Sequence, residues 1–265
     1  MNVSLGCFGL ALGDEIKIKT AGYDAAEFHV ACIMEPDRSD FHEVQQRMIA
    51  TGLDFSVWDN PIPLPVAICD DSFNLNFWKE YLLQACERCA QLGCKKYVFG
   101  NGKGRSLPES ADVRAARGKL DNFVDLLCDT SQQFGITVMI EPLGAEFSNI
   151  FNTIGECAEA ITYYGKSNMS SLVDLRHLVS QGLPMTEIIK HKELVSHVHI
   201  DYPYSIYPDR YFPHNSDDYD YTPFFTTLQE IDYKGIISIE ANKFNNYSIA
   251  LADGLSFLLS YVDRH

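Results

Sequence analysis

The chain has 265 residues, a length that suits one large domain or two small ones. Its formal net charge of −15 disfavours binding to the phosphate backbone of nucleic acid. No window approaches the roughly 18 consecutive apolar residues of a membrane-spanning helix, so no membrane association is expected.

The N-terminus and the cysteines both favour a cytoplasmic location. The first residues show no basic region followed by an apolar run, so they predict a strand and no signal peptide. Cys86, Cys89 and Cys94 have a spacing that resembles a zinc knuckle, but no second Cys or His pair follows at the usual interval. We expect the eight cysteines to be small, unpaired thiols in a reducing compartment.

Short apolar runs recur along the chain and alternate with polar helical stretches. They predict strands over residues 3–8, 26–30, 54–58, 96–100, 136–141, 171–175, 195–200 and 235–240. Eight such units in this length predict an α/β fold, a (β/α)8 TIM barrel, as one domain over residues 1–265. The alternative is an open doubly wound sheet, which usually has a glycine-rich turn after its first strand; here Gly6 and Gly9 are not followed by the third glycine.

Four residues with metal-binding side chains stand at or near the ends of the last four predicted strands: Glu141, Asp174, His199 and Glu240. Neighbouring parallel strands lie about 4.8 Å apart, so these ends would surround one point at the top of the barrel. Three carboxylates and an imidazole suit Mn²⁺, Mg²⁺, Co²⁺ or Zn²⁺. The sequence therefore predicts one divalent metal ion at this position.

The sequence resembles the xylose-isomerase-like TIM barrels, a superfamily that includes sugar isomerases, ketose 3-epimerases, inosose dehydratases and endonuclease IV. The resemblance spans essentially the whole chain. It is carried by residues 140–143 (IEPL), 173–177 (VDLRH), 197–199 (HVH) and 237–240 (ISIE), and by residues 21–27 before and within the second strand.

The resemblance implies roles for several of these side chains. In the ketose epimerases, the residues that match the four predicted ligands bind one Mn²⁺ or Co²⁺, so Mn²⁺ is the expected ion here. His177 resembles a histidine that hydrogen-bonds a substrate oxygen, and Arg210 resembles an arginine that holds the sugar over the metal. Arg210 lies further from His199 than the family pattern has it, because residues 202–207 are inserted. Glu146 resembles a second substrate-binding glutamate, one position early.

The predicted function is that of a sugar or sugar-phosphate isomerase or epimerase, with a carbohydrate or polyol substrate. Glu141 and Glu240 would act as catalytic acid and base, transferring a proton beside a carbonyl through a metal-bound enediolate. The alternative for either glutamate is a ligand role only. His177 could instead be a histidine with satisfied hydrogen bonds at a helix start, and Arg210 could pair with Asp209.

A loop and an aromatic residue are further candidate substrate contacts. The glycine-rich loop 100–105 follows the fourth strand, and its amides with Lys103 and Arg105 could hold an anion, although such loops are often only tight turns. Trp58, at the end of the third strand, could form an apolar wall beside a sugar ring or could belong to the core.

Other functions remain open from the sequence. A metal-dependent dehydratase uses the same residues and differs in expelling a β-hydroxyl group. Endonuclease IV needs further histidines after strands three and four, where this chain has Asp59, Asn60 and Asn101. A non-enzymatic subunit on this fold and a homo-oligomer are both compatible with the sequence.

Overall fold

The computed structural model describes residues 1–109 and 112–262. Eight parallel strands form one sheet in the order β2-β1-β8-β7-β6-β5-β4-β3. The strands are β1 (Ser4–Phe8), β2 (Ala25–Glu27), β3 (Val57–Asp59), β4 (Lys96–Phe99), β5 (Thr137–Ile140), β6 (Met169–Asp174), β7 (Val195–Ile200) and β8 (Ile236–Ile239). Each predicted run overlaps one of these strands, and the predicted TIM barrel is confirmed.

Helices connect the strands and cover the outside of the barrel. They are α1 (Asp14–Ala21), α2 (Val30–Met34), α3 (Arg38–Ala50), α4 (Leu75–Gln91), α5 (Val113–Gln132), α6 (Ile154–Tyr164), α7 (Leu175–Ser180), α8 (Thr186–Lys190), α9 (Thr222–Glu230) and α10 (Tyr247–Tyr261). Within the described ranges, no helix is long and apolar enough to cross a membrane.

The barrel closes between β2 and β3 through single bridges, because both strands are short. Ala25 pairs with Asp54 and His29 pairs with Asp59, outside the regular ladders. The third strand begins later than predicted, since the Asp54 side chain accepts a hydrogen bond from the amide of Ser56 at 2.7 Å and turns the chain there. The second strand ends earlier because His29 is the residue that precedes α2.

The core has two layers, which follow from the alternation of side chains along each strand. Inside the barrel, Val57, Val98, Met139 and Leu172 form a small apolar cluster. The larger cluster fills the space between the sheet and the helices and includes Trp58. Because Val57 points inward, Trp58 points outward and Asp59 points inward again, toward the mouth of the barrel.

Candidate metal centre and active site

The four predicted metal ligands lie together at the C-terminal mouth of the barrel. Their ligand atoms are all within 4.8 Å of one another. Glu141 directly follows β5, Asp174 ends β6, His199 lies in β7 and Glu240 directly follows β8. Strand pairing sets this arrangement, since Asp174 is opposite His199 in the β6–β7 ladder and the amide of Glu240 donates to the carbonyl of Ile200 at 3.1 Å.

These four residues, the quartet, carry three carboxylates that need a compensating positive charge. Burial, together with the charges of Glu240 and Asp174, raises the pKa of Glu141 to about 7, although its contact with His199 acts the other way. His199 is also buried, which disfavours its charged form, but Glu27 and Glu240 outweigh burial and raise its pKa well above the usual value. Three carboxylates concentrated in this way, with Glu141 and Asp174 buried and Glu240 half-buried, are costly unless positive charge compensates them.

The donor set fits a divalent metal ion. Oxygen and nitrogen ligands lie about 2.1 Å from such an ion, so ligands on opposite sides of it are about 4.2 Å apart. The observed spread of up to 4.8 Å is close to this separation. Carboxylate oxygens are hard donors and the imidazole nitrogen is a borderline one, a combination that Mn²⁺, Mg²⁺, Co²⁺ and Zn²⁺ accept. These residues therefore form a candidate metal-binding cluster.

Arg210 extends into the same cluster and binds its carboxylates. Its Nε lies 2.9 Å from Asp201 Oδ2, its Nη1 lies 2.8 Å from Glu240 Oε2, and its Nη2 hydrogen-bonds Asp174. The inserted residues do not displace it, because they belong to a loop that is closed by a hydrogen bond from the Tyr202 amide to the Tyr211 carbonyl at 2.9 Å. Arg210 thus supplies part of the positive charge that the carboxylates need.

His177 lies in the first turn of α7, which Asp174 caps by accepting the His177 amide at 3.0 Å. Its Nδ1 accepts a hydrogen bond from the amide of Gly144 at 3.3 Å, so the proton of the neutral ring is on Nε2. Burial is the main cause that lowers the pKa of His177, to about 4. A neutral imidazole with Nε2–H toward the cavity is a hydrogen-bond donor for an uncharged oxygen.

A cavity of about 340 Å³ contains this cluster. Its lining includes Glu141, Glu240, His177 and Arg210 on one side and His29, Asp59 and Asn60 on the other. Phe147, Tyr207, Pro208 and Leu64 also line it. A wider groove of about 930 Å³ lies on the surface beside Phe212 and Phe244, but its lining contains no member of the quartet.

Three predicted substrate contacts are not found in the cavity lining. Arg105 is fully buried, and its guanidinium donates to the carbonyls of Phe99 at 2.7 Å and Glu141 at 2.6 Å, so it holds the loop after β4 to the barrel. Trp58 is also fully buried, because the alternation along β3 turns it toward the helices. Glu146 is exposed on the loop after β5 and is not part of the lining.

Two polar groups at the site were missed in the sequence interpretation. Glu27 at the end of β2 accepts from Nε2 of His197 at 2.9 Å and from Nε2 of His199 at 3.0 Å. His29 lines the cavity and contacts Asp59. The sequence did contain a signal for both residues. Alternate residues of a strand point to the same side, so residues 27 and 29 both face the barrel interior, and they stand directly before a helix.

Comparisons with known proteins agree with this architecture. No curated protein matches the sequence. Among solved structures, 3-keto-D-glucoside 4-epimerase YcjR from E. coli superposes with a TM-score of 0.79 and 19% identity, covering 98% of this chain and 100% of that one. D-psicose 3-epimerase, solved in the presence of D-fructose, gives a TM-score of 0.80 and 14% identity over 98% of this chain and 99% of that one. An AP endonuclease, family 2, from Brucella melitensis gives 0.74 and 20% identity over 98% and 100%.

These structural likenesses concern the fold, and the family is established separately. The sequence model described as xylose isomerase-like TIM barrel matches residues 16–261, nearly the whole chain. The chain therefore belongs to the xylose isomerase-like TIM barrel family.

Proposed function

We propose that this protein is a divalent-metal-dependent sugar isomerase or epimerase that transfers a proton at a carbon beside a carbonyl group. The observation that carries the proposal is the joint placement of Glu141, Asp174, His199 and Glu240 with His177 and Arg210 around one cavity. Two of the solved structures compared above are sugar epimerases, which supports this reaction class.

The two glutamates are suited to proton transfer because they stand on separate strands with His199 between them. His199 Nδ1 lies 3.4 Å from Glu141 Oε1 and 3.0 Å from Glu240 Oε2. In the proposed reaction, one carboxylate removes the proton from the carbon and the other, as the acid, delivers a proton to the opposite face. A bound divalent ion would supply polarisation of the carbonyl and stabilisation of the negative charge that develops.

His177 and Arg210 are proposed to bind and orient the sugar. The neutral His177 ring donates through Nε2 to a substrate oxygen, and its ring is fixed by Gly144 on one side and by the edge of Phe147 on the other, with centroids 4.8 Å apart. Arg210 lines the cavity and carries hydrogens beyond those that contact the carboxylates. Glu146 is left out of the proposed binding set because of its exposed position.

We expect Mn²⁺ to be the ion, because a site with three carboxylates and one imidazole favours hard, oxygen-preferring cations over thiolate-seeking ones. The carbohydrate substrate, the cytoplasmic location and a homo-oligomeric state stay predictions. Free cysteines at all eight positions are compatible with a reducing compartment.

The test combines metal analysis with hydrogen exchange. Purified protein should contain about one equivalent of divalent metal per chain, and with Mn²⁺ it should incorporate deuterium from D₂O beside the carbonyl of D-fructose, D-psicose or a 3-keto-glucoside. EDTA should abolish exchange and Mn²⁺ should restore it. The same NMR spectra separate an epimer or isomer from a dehydrated product, so a dehydratase would be recognised. No exchange with any of these sugars by the Mn²⁺-loaded protein would overturn the proposal.

A further inference from the structure

The cavity has a second polar wall that the proposed mechanism does not use. His29 Nδ1 lies 3.0 Å from Asp59 Oδ2, and the Asp59 side chain is 4% exposed, against 32% for the His29 side chain. Both side chains line the cavity, but Asp59 is buried and His29 is the more accessible member of the pair.

Buried amides hold this pair from behind. Asn60 Nδ2 donates to Asp59 Oδ2 at 2.7 Å, and Asn60 Oδ1 accepts the amide of Asn101 at 2.6 Å. Asn60 and Asn101 have positive φ values of 50° and 46°, a left-handed conformation that costs free energy in residues other than glycine. Strained backbone of this kind persists where the surrounding contacts fix it, and it is concentrated at functional sites.

The imidazole of His29 is oriented so that one nitrogen is left for a ligand. Asp59 and Asn60 both contact Nδ1, at 3.0 and 3.1 Å, and Phe8 packs against the ring with centroids 4.9 Å apart. Within residues 1–109 and 112–262, no hydrogen-bond partner contacts Nε2. His29 precedes α2, but its side chain makes no capping hydrogen bond, so the helix does not account for the imidazole.

The strand order places His29 across the cavity from the substrate-binding side. β2 is four positions from β6 in the sheet order, and in an eight-stranded barrel this is the opposite wall. Asp174 and His177 come from the end of β6 and the start of α7. A sugar that bridges the cavity would therefore present hydroxyl groups to His177 at one end and to His29 at the other.

We propose that His29 is a substrate-binding residue whose Nε2 hydrogen-bonds a sugar hydroxyl on the wall opposite Asp174 and His177. Asp59 is its positioning residue, with Asn60 and Asn101 behind it. This inference rests on the proposed function and adds to it that the substrate has a free hydroxyl directed at the end of β2.

Two substitutions of His29 distinguish the contact made by Nδ1 from the contact proposed for Nε2. The shorter amide of His29→Asn can reproduce the contact of Nδ1 with Asp59 but leaves nothing at the position of Nε2. The longer amide of His29→Gln can reach the position of Nε2. The exposed His42 on α3 provides the control variant His42→Asn.

The measurement is kcat/KM for deuterium exchange with the best sugar of the panel, beside metal content and melting temperature. We expect His29→Asn to lose about 10- to 100-fold in kcat/KM with metal content unchanged, and His29→Gln to regain most of that loss. Exchange by His29→Asn within twofold of the wild type would overturn the assignment, as would equal losses in both variants. A wild-type protein that exchanges no sugar would instead overturn the proposed function itself.

Discussion

Glu27 and His199 face each other across the interior of the barrel, and Glu27 Oε1 contacts Nε2 of His199 at 3.0 Å. The other nitrogen of the same ring, Nδ1, faces Glu141 and Glu240. The contact with Glu27 therefore fixes which nitrogen is available to a metal ion. Carboxylates in this position orient a ligand histidine and increase its basicity.

The variant Glu27→Gln should weaken metal binding without removing a ligand. An amide can turn its NH₂ toward Nε2 and no longer fixes the proton there, so we expect the affinity for Co²⁺ or Mn²⁺ to fall by about 10- to 100-fold. Metal titration followed by the visible spectrum of Co²⁺ measures this. Glu43→Gln, on the exposed face of α3, is the matched control. Unchanged affinity and spectrum in Glu27→Gln would contradict the orienting role.

The two proposed acid–base residues should respond alike in the chemical step. In Glu141→Gln and in Glu240→Gln the amide can neither accept nor deliver the proton, so conversion of the sugar to its epimer or isomer at saturating Mn²⁺ and sugar should fall by about 10²- to 10⁴-fold. Metal content, determined on the same samples, separates loss of the ion from loss of the base. Either variant with near-normal conversion of the sugar would show that its glutamate is a ligand only.

Arg105 should prove to be a stabilising residue. It is fully buried, it donates to backbone carbonyls, and Phe151 lies against its guanidinium, 5.4 Å from ring centroid to Cζ. Arg105→Met leaves those carbonyls without donors and should reduce the free energy of unfolding by about 2–4 kcal/mol, measured by urea denaturation. At temperatures where the variant is folded, KM should stay close to the wild-type value. A large rise in KM with normal stability would favour the anion-binding role.

Tyr207 should influence sugar affinity from the rim of the cavity. Its ring contacts the edge of Phe147, with centroids 5.0 Å apart, and Phe147 in turn contacts His177. Aromatic pairs of this kind contribute about 0.5–1.5 kcal/mol, so Tyr207→Ala should raise KM by about 2- to 10-fold with little change in kcat. Tyr163→Ala, at a residue that is 67% exposed, is the control. No change in KM would exclude the rim from substrate binding.

The sequence was informative about the barrel and its four candidate metal ligands because both depend on local patterns. Apolar runs mark the strands, and a ligand at each strand end needs only the parallel arrangement to bring it to the common mouth. Glu141, Asp174 and Glu240 could be placed in this way although they are far apart in the chain.

Contacts that depend on side-chain direction were harder to predict. Trp58 was expected near the sugar because it ends a strand, but its parity along β3 turns it outward and brings Asp59 inward. Arg105 was grouped with Lys103 as an anion contact, yet its long side chain turns back to the carbonyls beneath the loop. His29 contacts Asp59 where β2 meets β3 and the barrel closes. No spacing along the sequence predicts a contact that depends on barrel closure.

The position of Arg210 affects how a metal ion would bind at the candidate cluster. By binding Asp174, Asp201 and Glu240, its guanidinium acts as a built-in counter-ion for carboxylates that would otherwise repel one another. We therefore expect the barrel to fold without the proposed metal ion, whose binding would bring a second positive charge to the same carboxylates.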